Sequence, residues 1–94
     1  MPPATRLGDL TIGHCFFPVP LIEGSPNVFI NNIPAGRVGD KYPPHTCGKA
    51  THQGKIAKGS NKVFINNISA ARIGDPLTCG DTVGRGSYNV FIGG

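Results

Sequence analysis

The chain states one motif nearly three times, and the third statement is split between its two ends. Residues 24–45 read GSPNVFINNIPAGRVGDKYPPH and residues 59–79 read GSNKVFINNISAARIGDPLTC. Each runs Gly-Ser, an apolar triplet, Asn-Asn, a small-residue segment, Arg-x-Gly-Asp, and then a potential metal ligand, His45 or Cys79. A third copy opens at Gly86 as GSYNVFIGG and reaches the last residue, Gly94. Its other half stands at the start of the chain. Residues 3–14, PATRLGDLTIGH, align Pro3 with Pro34, Arg6 with Arg37, Asp9 with Asp40 and His14 with His45. A repeat closed in this way predicts a ring of three like units, with the chain ends meeting inside one of them.

Ninety-four residues make a single domain, 1–94, of a size that buries a limited core and often needs a staple. With 14 Gly and 9 Pro there is little room for helix, yet the apolar triplets at matched places argue against disorder. The net charge of +4 reads as scattered. No Lys/Arg run tracks nucleic acid, so solubility is the expected role of the charge. Three cysteines are an odd number for a disulfide framework. The start, MPPATRLGD, has no secretory signal pattern. The apolar run from Cys15 to Ile22 is too short and too proline-rich to span a membrane. The expectation is synthesis in the cytoplasm and, if exported, exit by a route that reads no N-terminal peptide.

The expected architecture is all-β, pseudo-threefold and built of short hairpins. Asn27 to Asn31 reads as a strand, since Val28-Phe29-Ile30 is β-branched and aromatic. Asn31-Asn32 suits the positive φ of a two-residue turn, and Ile33 to Ala35 returns antiparallel. Val63-Phe64-Ile65, Asn66-Asn67 and Ile68 to Ala70 repeat this arrangement. Pro2 to Ala4 is expected to pair with Val90 to Ile92 and close the third unit. In the connector 15–23, Pro18 and Pro20 forbid helix and favour an extended path, while the connectors 46–58 and 80–85 read as irregular. Phe16, Phe17, Leu21 and Ile22 read as a wall of the core. Each Arg-x-Gly-Asp reads as a turn: Gly8, Gly39 and Gly74 permit it, and the Asp holds backbone N–H groups. Arg6, Arg37 and Arg72 pair with these carboxylates or face a partner.

Three equivalent positions after those turns hold His14, His45 and Cys79, which threefold closure would bring to one axis. Zinc takes four ligands in a tetrahedron, and His52 in the longest connector is the candidate for the fourth. Such a His3Cys site is closed and structural. Cys15 and Cys47 are off register and read as small buried apolar residues. Zinc and iron both remain open, with the cysteine and the tetrahedral count favouring zinc.

The tripled Arg-x-Gly-Asp, Gly-Ser and Val-Phe-Ile-Asn pattern resembles the PAAR-repeat proteins. Pro-Ala-x-Arg stands at Pro3-Ala4-Thr5-Arg6 and Pro34-Ala35-Gly36-Arg37, and becomes Ser69-Ala70-Ala71-Arg72 in the third version. The resemblance spans essentially the whole chain. It implies a small cone that sharpens the tip of a contractile injection machine. Such a cone sits on the trimeric β-helical spike of a type VI secretion system, the VgrG protein, or on a related phage tail spike. It implies a zinc at the apex held by three histidines and a cysteine, here His14, His45, His52 and Cys79. It further implies transient contact with a target membrane during puncture, and effector cargo in many relatives.

One monomer per trimer is expected, because the threefold character already lies inside the single chain. The strands centred on Phe29, Phe64 and Phe91 are the expected docking base. Strand alternation separates each Phe from its Val and Ile neighbours, and the flanking Asn27, Asn31 and Asn66 favour the Phe side. An enzyme is not expected: the ligand set leaves no open metal position, and Glu23 is the only glutamate. The alternative is a zinc-stabilised nucleic-acid-binding module, which the net charge permits. It lacks finger spacing and a basic recognition helix.

Overall fold

The structure, a computed structural model, describes residues 1–14 and 17–94, and the backbone alone of Cys47. The expectations for Cys15, Phe16 and the Cys47 side chain lie outside the described residues. Strand β1 (Phe29–Ile30) turns through Asn31-Asn32 into β2 (Ile33–Pro34). Two further hairpins follow: β3 (His45–Cys47) with β4 (Ala50–His52), and β5 (Phe64–Ile65) with β6 (Ile68–Ser69). Asn31, Asn32, Asn66 and Asn67 have φ of 55, 63, 56 and 63°. Asparagine tolerates this left-handed region, and two such residues in succession match the twist of a two-residue hairpin.

The split unit closes as expected. Pro3 pairs with Phe91 as Pro34 pairs with Phe29 and Ser69 with Phe64. The Ala4 N–H donates to the Val90 carbonyl at 2.9 Å, as Ala35 does to Val28 and Ala70 to Val63 at 3.0 Å. The strands are shorter than expected. The N–H groups of Asn27 and Val28 are taken by the Ser25 hydroxyl, at 3.2 and 2.8 Å, which sets a serine turn where a longer ladder was predicted.

The three returning segments meet in a closed ring of hydrogen bonds. Gly36 donates to Thr5 at 2.9 Å, Thr5 to Ala71 at 3.1 Å and Ala71 to Gly36 at 3.1 Å. These three residues are equivalent in the repeat, and all are buried at the pseudo-threefold axis. The space there is too small for three side chains of any size. A Cβ on Gly36 would stand 2.8 Å from Thr5 Cγ2 and 2.9 Å from Leu21 Cδ2.

The core lies in two layers on either side of this ring. On one side Ile30, Ile65 and Ile92 pack with Ala4, Ala35 and Ala70. On the other, Leu21, Ile56 and Val83 pack with Val19, Tyr42, Ala71 and Leu77. Each connector returns along its own repeat. Leu21, Ile56 and Val83 donate to the carbonyls of Asp9, Asp40 and Asp75 at 3.0, 3.0 and 2.9 Å. The molecule measures 37 × 23 × 23 Å, and no helix occurs among the described residues. It is a small all-β, pseudo-threefold fold whose elongated form accords with a cone.

Two expectations about the connectors need correction. Leu21 is buried as expected, but Phe17 and Ile22 do not wall the core; both are exposed, and Val19 is buried in their stead. Pro18 and Pro20 hold this stretch extended, and the period of two turns Ile22 away from the side that buries Val19 and Leu21; Phe17 falls on their side by alternation but stays outside the core cluster they join. The middle connector, read as irregular, contains the β3–β4 hairpin.

The Arg-x-Gly-Asp turns are structural. Gly8, Gly39 and Gly74 have φ of 88, 91 and 93°. Each Asp accepts the backbone N–H of its Arg and grips the guanidinium, with Arg6–Asp9, Arg37–Asp40 and Arg72–Asp75 separated by 2.9, 3.0 and 3.1 Å. The bidentate geometry fixes each fork in place.

Candidate functional site

The β3–β4 hairpin exists where His-Thr-Cys-Gly-Lys-Ala-Thr-His reads almost the same from either end. Gly48, at φ 63°, opens its turn, and the pairs Thr46–Thr51 and Cys47–Ala50 lead back to His45 opposite His52. Two imidazoles are thereby placed side by side by register alone. His14, from the loop between Thr11 and Val19, completes the group. Its Nε2 lies 2.9 Å from His45 Nε2. The ring centroids are 4.8 Å apart for His14–His45, 5.4 Å for His14–His52 and 4.3 Å for His45–His52. One ligand nitrogen from each ring falls within 4.8 Å of the others.

His45 is buried, and its pKa is lowered below the ordinary value by that burial, then by His52 and His14; Asp81 opposes the shift. The site thus favours a neutral imidazole with a lone pair to offer. Tetrahedral bonds of about 2.0–2.1 Å put two ligand nitrogens about 3.3 Å apart, close to what His14 and His45 present.

Cys79 lies outside this group of three. It is a free, partly buried thiol on the third loop, packed against the upper core layer. A Cβ on Gly54, two residues beyond His52, would stand 2.6 Å from the Cys79 Sγ. The absence of a side chain at Gly54 therefore makes room for the sulfur beside the strand that ends in His52. Beneath, the Tyr42 hydroxyl is fully buried with no hydrogen-bond partner. Burial first, and then Asp81, raise its pKa, so it remains a donor.

At the opposite layer, Phe29, Phe64 and Phe91 are 54, 56 and 50 % exposed, while Ile30, Ile65 and Ile92 are buried. The alternation read from sequence holds for these six residues. Val28 and Val63 depart from it: both are partly exposed rather than buried beside the isoleucines.

The turn asparagines do more than turn. Asn31 Oδ1 accepts from Arg6 Nη1 at 3.1 Å and from the Ser87 hydroxyl at 2.6 Å. Asn66 Oδ1 accepts likewise from Arg37 at 3.2 Å and Ser25 at 2.6 Å. In the split unit the Gly93 backbone carbonyl takes that place, accepting from Arg72 at 3.2 Å and Ser60 at 2.6 Å. Sequence reading missed this role, although the fixed spacing of Ser, Asn and Arg in the two full copies carries its signal.

No curated protein matches the chain. The family model described as PAAR motif matches residues 18–85, well over half of it. That match agrees with the tripled hairpins and with a histidine group able to hold a metal. The chain belongs to the PAAR-motif family, whose members are structural, metal-binding proteins associated with the spike tips of type VI secretion systems and phage tails.

Proposed function

We propose that one copy of this chain caps one trimeric β-helical spike, a VgrG protein or a phage tail spike, and sharpens it for membrane puncture. The observation that carries this reading is the closed ring of Thr5, Gly36 and Ala71. It builds threefold character into a monomer, which lets one chain face all three subunits of a C3 partner at once. Three copies around the same axis would collide at the apex.

In this reading Phe29, Phe64 and Phe91 form the docking base. Burying each ring contributes roughly 1.5–3 kcal/mol before association costs. His14, His45, His52 and Cys79 hold a structural zinc at the apex. The donor chemistry suits it, and the gap at Gly54 leaves the sulfur room. A bound zinc would tie three separate loops together. The protein acts as a structural tip and not as an enzyme. It is made in the cytoplasm and leaves at the tip of the machine or in a phage tail, with effector cargo where the machine carries one.

The test is to mix the chain with a candidate trimeric spike and measure the mass of the complex. One cap per trimer is expected. Three caps per trimer would overturn the architecture. Capping at native affinity by the zinc-loaded Phe29→Asp/Phe64→Asp variant would remove these strands from the base.

A further inference from the structure

The net charge is not scattered in the folded molecule. Arg6, Arg37 and Arg72 are each neutralised by an aspartate. What remains is five lysines and Arg85 against Glu23 and Asp81. All five lysines, Lys41, Lys49, Lys55, Lys58 and Lys62, fall within residues 41–62, and all are exposed. Lys49 stands in the turn between β3 and β4. Lys41 and Lys55 form a directly opposed antiparallel pair at the foot of that hairpin. Lys58 stands three residues beyond Lys55, and Lys62 two residues before Phe64. The Glu23 carboxylate accepts the Lys41 backbone N–H at 3.0 Å, and Asp40, next in the chain, is taken up by Arg37. Among the described residues none of the five lysines forms an ion pair.

The repeat supplies its own control. The positions equivalent to Lys41 and Lys55 are Leu10 and Pro20 in one unit and Pro76 and Thr82 in the other. Those equivalent to Lys58 are Glu23 and Arg85, and those equivalent to Lys62 are Asn27 and Asn89. The fold is built twice without these lysines, so it does not require them. Like charges directly opposed across a strand pair are unfavourable. A stripe that the architecture does not need, and that repels itself, calls for an anionic counterpart.

We propose that this flank docks on an anionic lipid surface. Lys49 caps the hairpin that ends in His45 and His52, and Ile12, two residues before the His14 that meets those rings, is 63 % exposed. An exposed apolar side chain on the same histidine cluster as a lysine-bearing hairpin matches a lipid interface, where apolar groups enter the headgroup boundary and ammonium groups meet phosphate. Lysine acts there as a point charge on a flexible stem. The forked arginines that suit bidentate recognition of single phosphates are, Arg85 apart, held by aspartates. Lys41 and Lys55 adjoin Tyr42 and Ile56 of the core layer opposite the isoleucines that neighbour the three phenylalanines, so this pair stays open when the base is docked.

The test is flotation of the full chain with vesicles of phosphatidylcholine containing phosphatidylglycerol, and with vesicles of phosphatidylcholine alone, at low salt. Attachment to the anionic vesicles alone is expected. Each lysine near such a surface strengthens attachment by about fivefold, so K41Q/K55Q should weaken it by about 25-fold and K41R/K55R should preserve it. Added salt, roughly 0.5 M, should release the protein. Equal binding to both vesicle types overturns the proposal, as does native attachment by K41Q/K55Q. Tighter binding to a DNA duplex than to the anionic vesicles at equal salt assigns the stripe to nucleic acid and overturns the lipid surface. Spectroscopic melting of K41Q/K55Q should be no lower than that of the parent, since both side chains are exposed and the opposed charges repel.

Discussion

The Ser60 hydroxyl donates to the Gly93 backbone carbonyl at 2.6 Å, in the place where Ser25 and Ser87 donate to asparagine side chains. A main-chain oxygen near the last residue thus stands in for the amide that the split copy lacks. The same hydroxyl accepts from the N–H groups of Lys62 and Val63 at 3.0 and 2.9 Å. Both ends of the chain are consequently bound into the third unit.

Deletion of residues 1–5 should therefore unfold or loosen the domain. It removes Thr5 from the axial ring, Ala4 from the lower core and the strand that pairs with Phe91. Ser60→Ala is the milder probe. It leaves the Lys62 and Val63 N–H groups without their partner and the Gly93 carbonyl with Arg72 alone, and should cost about 1–3 kcal/mol in denaturant unfolding. A truncated protein with full stability would refute the closure.

Gly36→Ala should destabilise by about 1–3 kcal/mol, because the new Cβ meets Thr5 Cγ2 and Leu21 Cδ2 at the crowded axis. Thr5→Ser removes that methyl and keeps the hydroxyl that donates to the Arg85 carbonyl at 2.9 Å. The double variant should lose less than the sum of the two single losses, as expected for neighbours sharing one space. Strict additivity would show that the two side chains do not compete.

Zinc content should approach one ion per chain and fall in His14→Ala, His52→Ala and Cys79→Ala. At free zinc about 1,000-fold above Kd, the metal adds about 4 kcal/mol, so chelation should lower the melting temperature clearly. Gly54→Ala tests the sulfur separately. Its Cβ would displace Cys79 and should weaken zinc binding while all four donors stay in the chain. Unchanged zinc content and melting in Cys79→Ala would remove the cysteine from the ligand set.

The metal-free protein should lose stability on acidification. The folded pKa of His45 is lowered, so the native state favours the neutral ring. Its contribution is present above the unfolded pKa of about 6.5 and is lost as pH falls below that value. Urea midpoints at about pH 7.5 and about pH 5 should therefore differ, with the acid midpoint lower. The difference should shrink in His45→Gln. Equal midpoints in the parent protein would count against this burial effect.

The periodic part of the molecule was legible in the chain itself. The copies fixed the hairpins, the asparagine turns, the closure of the ends and the Arg–Asp turns, since each depends on local chemistry or on equivalence between units. Three features needed the tertiary structure. Beyond His45 the β3–β4 hairpin belongs to no repeat, and only its pairing register sets His45 beside His52. The identities of Thr5, Gly36 and Ala71 follow from how much space remains where three strands converge, and no single copy contains that information. The exposure of Phe17 and Ile22 is a further case. An apolar run reads as core in one dimension, but in the extended segment Ile22 falls on the face opposite Val19 and Leu21, and Phe17 stays outside the core cluster those two join. Sequence thus determined which units recur and how each one turns. Packing around a shared axis decided which side chains meet, because that depends on distances between units that lie far apart along the chain.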